Sequence, residues 1–393
     1  MSTWVPGAAG SAYDVDNLPL GVFSHRDQGP RAGVRIGDRV VDLAPVAAAT
    51  GFEPAGLFEA ASLNPFLAAG PDAWDATRQW LVALLTDHAR ADLVSPWLIP
   101  VSEVALRLPF EVADYVDFYA SIHHATNVGR IFRPDGEALT PNWRRLPIGY
   151  HGRAGTVVVS GTGVRRPSGQ RHADDFGPCR RLDVEAELGF VVGTPSTHGD
   201  PVPADAWKDH VFGVTLLNDW SARDIQAFEY VPLGPFLGKS FATSISPWIT
   251  PLAALEPAVC ALPGQDPAPL PYLQVDGGAP GLDIEVEVVL NGRVVSRPPY
   301  SSMYWSPAQM LAHLTVNGAS LRTGDLFASG TISGPEHDQR GSFLELSWGG
   351  REPFADNRTF LEDGDTVTLR ASAPGALGGR IALGEVTGTI LPA

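Results

Sequence analysis

The sequence contains few cysteines and no long apolar run. Its two cysteines, Cys179 and Cys260, cannot form a disulfide framework, which fits a reducing compartment. The first residues lack the charged and apolar regions of a secretion signal, and no apolar run is long enough to span a bilayer. We therefore expect a cytoplasmic protein that does not act at a membrane.

Positive charge is also scarce. The chain has 28 lysines and arginines against 44 aspartates and glutamates, for a formal net charge of −16. Because a nucleic-acid-binding surface requires a basic patch, we expect no nucleic-acid partner, although a few clustered arginines can still hold a small anion. The only lysines are Lys208 and Lys239. A retained lysine can mark a site that needs a compact ammonium group, but chance is an equally good explanation.

The length and the hydrophobic pattern predict two domains, a small one over 1–105 and a larger one over 106–393. The expected fold class is mainly β with some α, because strand patterns outnumber helical ones. The predicted helices cover 72–91 and 114–133, and another begins near Ser221. The predicted strands cover 21–23, 32–36, 39–42, 155–160, 182–193 and 211–217, with a hairpin over 283–297 and short strands over 319–391. Prolines predict a linker at 96–100 and a loop over 247–271.

An acidic repeat is the first candidate for chemistry. In LDVEAEL (182–188) the acids alternate with apolar residues, so Glu185 and Glu187 lie on one face of a strand. Carboxylate oxygens are the ligands that Ca²⁺ and Mg²⁺ prefer. From the pattern alone, a half-exposed strand with a solvated acidic face is the commoner explanation, and LDIEVEV (282–288) repeats the pattern. The second copy runs into a turn, which favours solvent, whereas the first runs into an apolar stretch.

Asp219 and two sets of polar residues on predicted helices are further candidates for a functional site. Asp219 follows an apolar strand, where it serves either a site or a helix cap, and Ser221 and Asp224 already have the spacing of a capping box. On the predicted helices, one face combines Asp117, Ser121 and His124, and another combines Arg223, Gln226 and Tyr230. The first offers an acid and a base, and the second offers donors for carboxylate or carbonyl oxygens. A structural histidine and a solvated helix face are the alternative interpretations.

Taken together, long segments resemble the fumarylacetoacetate hydrolase family. The segments are DYVDFYASIHHATNVGRIFRP, NWRRLPIGYHGRAGTVVVSGT, LLNDWSARDIQAFEYVPLGPFLGKSFATSISPW and RTGDLFASGTISGPE. The resemblance implies a small N-terminal SH3-like barrel, a large C-terminal β-roll domain and a homodimer. It also implies hydrolysis of a carbon–carbon bond in a small diacid diketone, 4-fumarylacetoacetate, to fumarate and acetoacetate at the end of tyrosine breakdown.

The same resemblance assigns roles to individual residues. It implies a Ca²⁺ or Mg²⁺ site, a general base with its orienting carboxylate, groups that stabilise negative charge, and substrate contacts. The implied metal site is Asp117, Glu185, Glu187 and Asp219 with Lys239 and Thr243. The implied base is His124 with Glu345, the charge-stabilising groups are Arg223, Gln226 and Lys239, and the substrate contacts are Tyr119, Arg133, Gln226, Tyr230 and Thr331.

The sequence departs from the family pattern in a few places. His123 stands where glutamine is familiar, Ala242 replaces a glycine, and the segments 171–176 and 335–340 differ. None of these changes removes a catalytic residue type, so they bear on substrate preference. Two alternatives stay open: a related acylpyruvate hydrolase or decarboxylase, and a non-catalytic protein stabilised by Ca²⁺. The predicted substrate contacts fit the diacid better than the substrates of the first alternative, and a measurement of turnover decides the second.

Overall fold

The computed structural model describes residues 2–53 and 55–393. The N-terminal part contains five short strands and four helices within these ranges. The strands are β1 (Leu20–His25), β2 (Arg31–Ile36), β3 (Arg39–Asp42), β4 (Leu98–Pro100) and β5 (Val104–Arg107). The helices are α1 (Leu43–Thr50), α2 (Asn64–Ala68), α3 (Pro71–Thr86) and α4 (Ala91–Val94).

The larger part is dominated by strands. These are β6 (Tyr115–Phe118), β7 (Gly149–His151), β8 (Val157–Val159), β9 (Val164–Arg165), β10 (Ser168–His172), β11 (Asp175–Pro178), β12 (Leu182–Asp183), β13 (Ala186–Val192), β14 (Val211–Asp219), β15 (Ser221–Ala222), β16 (Thr243–Ile245), β17 (Trp248–Pro251), β18 (Val259–Ala261), β19 (Pro280–Leu282), β20 (Glu285–Leu290), β21 (Arg293–Ser296), β22 (Leu326–Ala328), β23 (Thr366–Pro374) and β24 (Arg380–Leu391). The helices are α5 (Ile122–Phe132), α6 (Trp207–His210), α7 (Arg223–Glu229), α8 (Pro307–Thr315) and α9 (Phe343–Leu346).

The N-terminal strands form an open antiparallel arrangement and not a closed barrel. β4 pairs β3, β3 pairs β2 and β2 pairs β1, while β5 pairs the other edge of β1. No ladder joins β4 to β5 among the described residues, since a short 3₁₀ turn at Val101–Glu103 separates them. Leu20 and Gly21, at the beginning of β1, pair with β17 of the larger part instead. The SH3-like barrel implied by the resemblance is therefore not closed, and the predicted linker at 96–100 contains a strand.

The principal sheet continues from β1 and β17 through the middle of the molecule. Its order is β4-β3-β2-β1-β17-β14-β13-β22-β6-β7, and β5, β8 and β16 branch from this path to give 13 strands. Every residue of β13 and β14 is buried. A strand that is buried on both faces normally consists almost entirely of apolar residues. The acids Glu187 in β13 and Asp219 in β14 are therefore exceptions.

A second sheet of five strands has the order β21-β20-β23-β24-β9. The hairpin between β20 and β21 confirms the predicted turn, since Asn291 and Gly292 have φ values of 49° and 83°. β23 and β24 are nine and twelve residues long, so the prediction of only short strands over 319–391 was wrong. Their long antiparallel pairing is a contact between strands that local pattern does not reveal.

One of the two long helices predicted from the sequence is present, and the other is only partly helical. α3 confirms the helix predicted over 72–91, with Trp74, Leu81 and Leu84 buried as expected, although it ends at Thr86. The helix predicted over 114–133 was wrong in its first half, because Tyr115–Phe118 is a strand paired on both sides by β22 and β7. The loop predicted over 247–271 contains β17 and β18. No helix in the described ranges is long and apolar enough to cross a membrane.

Candidate active site

Four buried carboxylates meet at the middle of the principal sheet. Glu187 on β13 and Asp219 on β14 come from adjacent antiparallel strands, and Asp117 comes from β6. Glu185 lies in the break between β12 and β13. One oxygen from each acid can be chosen so that all four lie within 4.8 Å of one another. The four acids named from the sequence are thus brought together.

The two acidic repeats have opposite environments. In the first copy, Glu185 and Glu187 are buried, with exposed fractions of 4% and 0%. In the second copy, Glu287 forms an ion pair of 3.1 Å with Arg297, and Glu285 forms one of 3.1 Å with Arg380. These are partly exposed pairs of the five-stranded sheet. The expectation that the first repeat is buried and the second faces solvent is confirmed.

Lys239 lies against the carboxylates. Its Nζ donates to Glu185 Oε2, and to Asp219 Oδ2 at 2.7 Å. Thr243 Oγ1 donates to the other oxygen of Asp219 at 2.8 Å. Burial alone would lower the pKa of Lys239, but Asp219 and Glu185 raise it above its usual range, so the ammonium stays charged. Lys208, in contrast, makes a surface ion pair with Glu256 at 2.7 Å.

The remaining oxygens fit a cation. Asp117 Oδ1 and Glu187 Oε1 are buried and have no hydrogen-bond partner within the described part of the chain. Burial, together with repulsion from the neighbouring carboxylates, raises the pKa of both acids well above the usual range. Buried carboxylates of this kind are stable as anions only when they are paired or coordinate a metal. The donor set is all oxygen, which suits a hard divalent cation.

A histidine–glutamate pair adjoins this cluster. His124 Nδ1 lies 2.6 Å from Glu345 Oε2, and both side chains are buried. Burial by itself would raise the pKa of Glu345, but His124 and the hydrogen bonds to the carboxylate lower it below its usual value. An ionised Glu345 only accepts, so Nδ1 carries the hydrogen. The Nε2 atom of His124 is then directed to the cluster, 3.7 Å from Glu185 Oε1.

His124 reaches this position differently from the sequence-based expectation. Asp117 belongs to strand β6, and Ser121 is the residue before α5, whose hydroxyl accepts from the His124 N–H at 3.3 Å. The three residues therefore do not share a helical face. A short connection between β6 and α5 brings the base next to the cluster that contains the acid.

Arg223 connects several polar groups at the start of α7. Its Nη2 donates to Glu185 at 2.6 Å, its Nε donates to Asp183 at 2.7 Å, and its Nη1 donates to Gln226 at 3.1 Å. The predicted pairing of Arg223 with Gln226 on one helical face is confirmed. The predicted capping box was wrong, since the residue before α7 is Ala222 and the Ser221 hydroxyl donates to the Asp219 carbonyl.

The predicted substrate contacts divide into two groups. Tyr119 packs edge-on against the His124 ring at 5.4 Å, and Thr331 has a buried hydroxyl without a partner among the described residues. Arg133 and Tyr230 are exposed, and no hydrogen bond within the described ranges joins them to the carboxylates. Gln226 accepts from Arg223, and Gly330, the residue before Thr331, donates to Glu187 at 3.0 Å. The structure thus places three of the five predicted contacts near the cluster and leaves the other two at the surface.

Several polar residues of the site were not anticipated, including Ser333 and Ser342, which donate to Glu345 Oε2. Asn127 donates to Glu345 Oε1 at 2.9 Å, Asp183 accepts from Arg223, and Tyr150 donates to Asp219 Oδ2 at 3.3 Å. Tyr150, Asp219 and Lys239 line a cavity of about 130 Å³. Asn127 follows His124 by three residues and Asp183 belongs to the acidic repeat, so spacing could have revealed both. Nothing in the local sequence distinguishes Tyr150.

Fold and site together define a β-rich enzyme with a buried carboxylate centre beside a histidine–glutamate pair. The family model for the C-terminal part of fumarylacetoacetate hydrolase matches residues 114–390, and that for the N-terminal part of fumarylacetoacetase matches 16–109. The chain belongs to the fumarylacetoacetate hydrolase family.

Full-length relatives agree with this assignment. The fumarylacetoacetase of Homo sapiens is 46% identical over 420 residues, covering 100% of this chain and 99% of the relative. That of Arabidopsis thaliana is 45% identical over 417 residues, with the same coverage. A solved fumarylacetoacetate hydrolase from Exiguobacterium antarcticum has a TM-score of 0.59 at 18% identity, over 96% of this chain and 100% of that chain. This last similarity supports the fold alone.

Proposed function

We propose that this protein hydrolyses the carbon–carbon bond of 4-fumarylacetoacetate, giving fumarate and acetoacetate in the last step of tyrosine breakdown. The observation that carries the proposal is the position of His124, held by Glu345 at 2.6 Å and directed to a cluster of four buried carboxylates. Full-length fumarylacetoacetases at about 45% identity support the choice of substrate. A protein that only binds an ion has no use for an oriented base beside it.

Asp117, Glu185, Glu187 and Asp219 would hold a Ca²⁺ or Mg²⁺ ion, with Lys239 and Thr243 beside it. When bound, such an ion supplies Lewis-acid polarisation of a carbonyl. Its charge also suits carboxylates that are otherwise mutually repulsive. Lys239 already pairs with Glu185 and Asp219, and Arg223 pairs with Glu185, so the cluster keeps two fixed positive charges of its own.

Side chains of the protein carry out the remaining steps of the reaction. His124 takes a proton from water at Nε2, since Glu345 holds the hydrogen on Nδ1. Hydroxide then attacks the carbonyl, and collapse of the resulting oxyanion breaks the carbon–carbon bond. Arg223, Gln226 and Lys239 stabilise the negative charge that develops first on oxygen and then on the leaving carbon, and the proton held by His124 returns to that carbon. Tyr119 and Thr331 would orient the substrate, and Arg133 and Tyr230 would hold its carboxylates after moving inward from the surface.

The decisive assay follows the absorbance of fumarylacetoacetate after the protein is added. We expect turnover in the presence of Ca²⁺ or Mg²⁺, loss of turnover with a chelator, and recovery when either ion is restored. His124→Ala should lower the rate strongly without unfolding the protein. His313→Ala is the control, because this helical histidine bonds Tyr272 at 3.0 Å and takes no part in the cluster. Normal turnover by His124→Ala would contradict the assignment of the base.

We also propose a homodimer located in the cytoplasm. Apolar side chains are exposed along the segment between α7 and β16, including Val231, Leu233 and Phe236, which are 69%, 95% and 64% exposed. A contiguous exposed apolar patch is typical of a surface that another molecule covers. Sedimentation equilibrium of the wild type and of Leu233→Asp tests the assembly. Both cysteines are free, which is consistent with a reducing compartment.

A further inference from the structure

Asp183 is a fully buried carboxylate that lies beside the site without joining the cluster of four. Both of its oxygens are occupied by the protein. Oδ1 accepts from the N–H groups of Val184 at 2.8 Å and Phe343 at 2.7 Å. Oδ2 accepts from Arg223 Nε at 2.7 Å and from the N–H of Leu344 at 3.1 Å. No oxygen is left for a metal or a substrate.

The donors come from two parts of the site that are distant in sequence. Arg223 extends from Asp183 to Glu185, so its guanidinium is fixed between the two acids. Phe343 and Leu344 begin α9, and Glu345 is the next residue. A helix of four residues does not hold its own geometry, because isolated short helices are unstable. The position of the Glu345 carboxylate therefore depends on the contacts that fix the start of α9.

We propose that Asp183 is a positioning residue that sets Arg223 and Glu345 relative to each other. A single carboxylate holds the arginine that stabilises negative charge and the turn that carries the orienting partner of His124. The inference rests on the proposed function, since it assigns these two residues to one reaction. Its physical basis is that displacements of about 1 Å in an active site can lower the rate by ~10²-fold.

Asp183→Asn is the appropriate variant, because it preserves the volume and replaces one acceptor oxygen with an amide donor. In either orientation the new amide faces donors and displaces one of them. Asp365→Asn is the matched control. Asp365 is also buried, and it accepts from Asn291 Nδ2 at 2.8 Å, Arg358 Nη2 at 3.0 Å and the N–H of Glu362 at 2.8 Å. This second aspartate lies outside the site.

For folded protein, we expect Asp183→Asn to lower kcat by about 10²-fold with KM changed less than about threefold. Asp365→Asn should lower the melting temperature while kcat stays within about twofold of the wild type. The loss of kcat in Asp183→Asn should also be smaller when Glu345→Gln is already present, because both changes disturb the same carboxylate. A purely structural role predicts unchanged kcat and independent effects, and either result overturns the proposal.

Hydrogen exchange supplies a readout that does not depend on turnover. The amides of Phe343 and Leu344 should exchange faster in Asp183→Asn than in the wild type or in Asp365→Asn. Unchanged exchange at these amides would overturn the proposal. If the wild type fails to consume fumarylacetoacetate, the proposed function is wrong. The exchange experiment then still decides whether Asp183 fixes the start of α9.

Discussion

The His124 Nδ1 atom lies 2.6 Å from Glu345 Oε2, although the two residues are 221 positions apart in the sequence. Ser333 and Ser342 donate to the same oxygen at 2.9 Å and 2.8 Å. The glutamate is thus surrounded by donors, which keeps it ionised and fixes the imidazole tautomer. This relationship directs Nε2 of His124 to the carboxylate cluster, as the proposed role of general base requires.

The first prediction concerns Glu345→Gln. The neutral amide no longer stabilises the imidazolium that forms when His124 accepts a proton, and it can present its amide group to Nδ1. We expect kcat to fall by about 10²- to 10⁴-fold, the contribution of a positioned general base, with the protein still folded. Steady-state kinetics with circular dichroism check this. A rate within twofold of the wild type would show that the pair does not serve the reaction.

The second prediction uses the two acidic repeats as an internal comparison. Glu187→Gln replaces a charged carboxylate of the proposed metal site with a neutral amide, so added Ca²⁺ or Mg²⁺ should stabilise this variant much less than the wild type. Glu287→Gln changes the corresponding residue of the second repeat, and it should retain the full effect. An ion at 100 times its Kd adds about 2.7 kcal/mol to the free energy of unfolding. Calorimetric melting with each ion measures this, and equal responses would exclude the first repeat as the binding site.

The third prediction concerns pH in the chelated protein. The folded-state pKa values of Asp117 and Glu187 are raised by burial and by repulsion from the neighbouring carboxylates, so the folded state binds more protons than the unfolded state above about pH 4.5. The contribution of these two acids to stability should then rise as the pH falls from about 7.5 to about 5, and it opposes that of His123 and His313, whose pKa values are lowered by burial. Glu185 and Glu345 have lowered pKa values, so they affect stability only below that window. Urea midpoints test this, and Asp117→Asn with Glu187→Gln should flatten the trend.

The fourth prediction compares the two lysines. Lys239→Met leaves Glu185 and Asp219 buried without their ammonium partner, and breaking a buried ion pair typically costs about 3–5 kcal/mol. Lys208→Met removes an exposed ion pair with Glu256, which is worth less than about 1 kcal/mol. Denaturant unfolding of the chelated proteins measures both. Similar losses would mean that the buried ammonium has no special role in the cluster.

Local sequence patterns were sufficient for several elements. The Asn291-Gly292 turn and the buried face of α3 depend on neighbours within one turn or one hairpin, so spacing identifies them. The scarcity of lysine drew attention to Lys239, which does lie in the site. The alternating acids identified Glu185 and Glu187, and the apolar run that follows them indicated burial.

Other features could not be predicted from the local sequence. A helix was predicted across Asp117 because its spacing to His124 fits a helical face, but pairing of β6 with β22 and β7 makes this segment a strand. The N-terminal strands were expected to close on themselves, whereas β1 pairs β17. In both cases the deciding partner is remote in sequence, and its hydrogen bonds outweigh local preference.

The sequence by itself determined the chemistry that is available: carboxylates at alternate positions of an apolar segment, one of only two lysines, and a histidine with a distant glutamate that family resemblance identified. Only the tertiary structure decided how these groups meet. It brought the four carboxylates within 4.8 Å, and it placed Asp183 between Arg223 and the turn that bears Glu345. The reason is physical, since the pairing of distant strands sets burial and distance, and these two quantities distinguish a metal centre from a solvated acidic face.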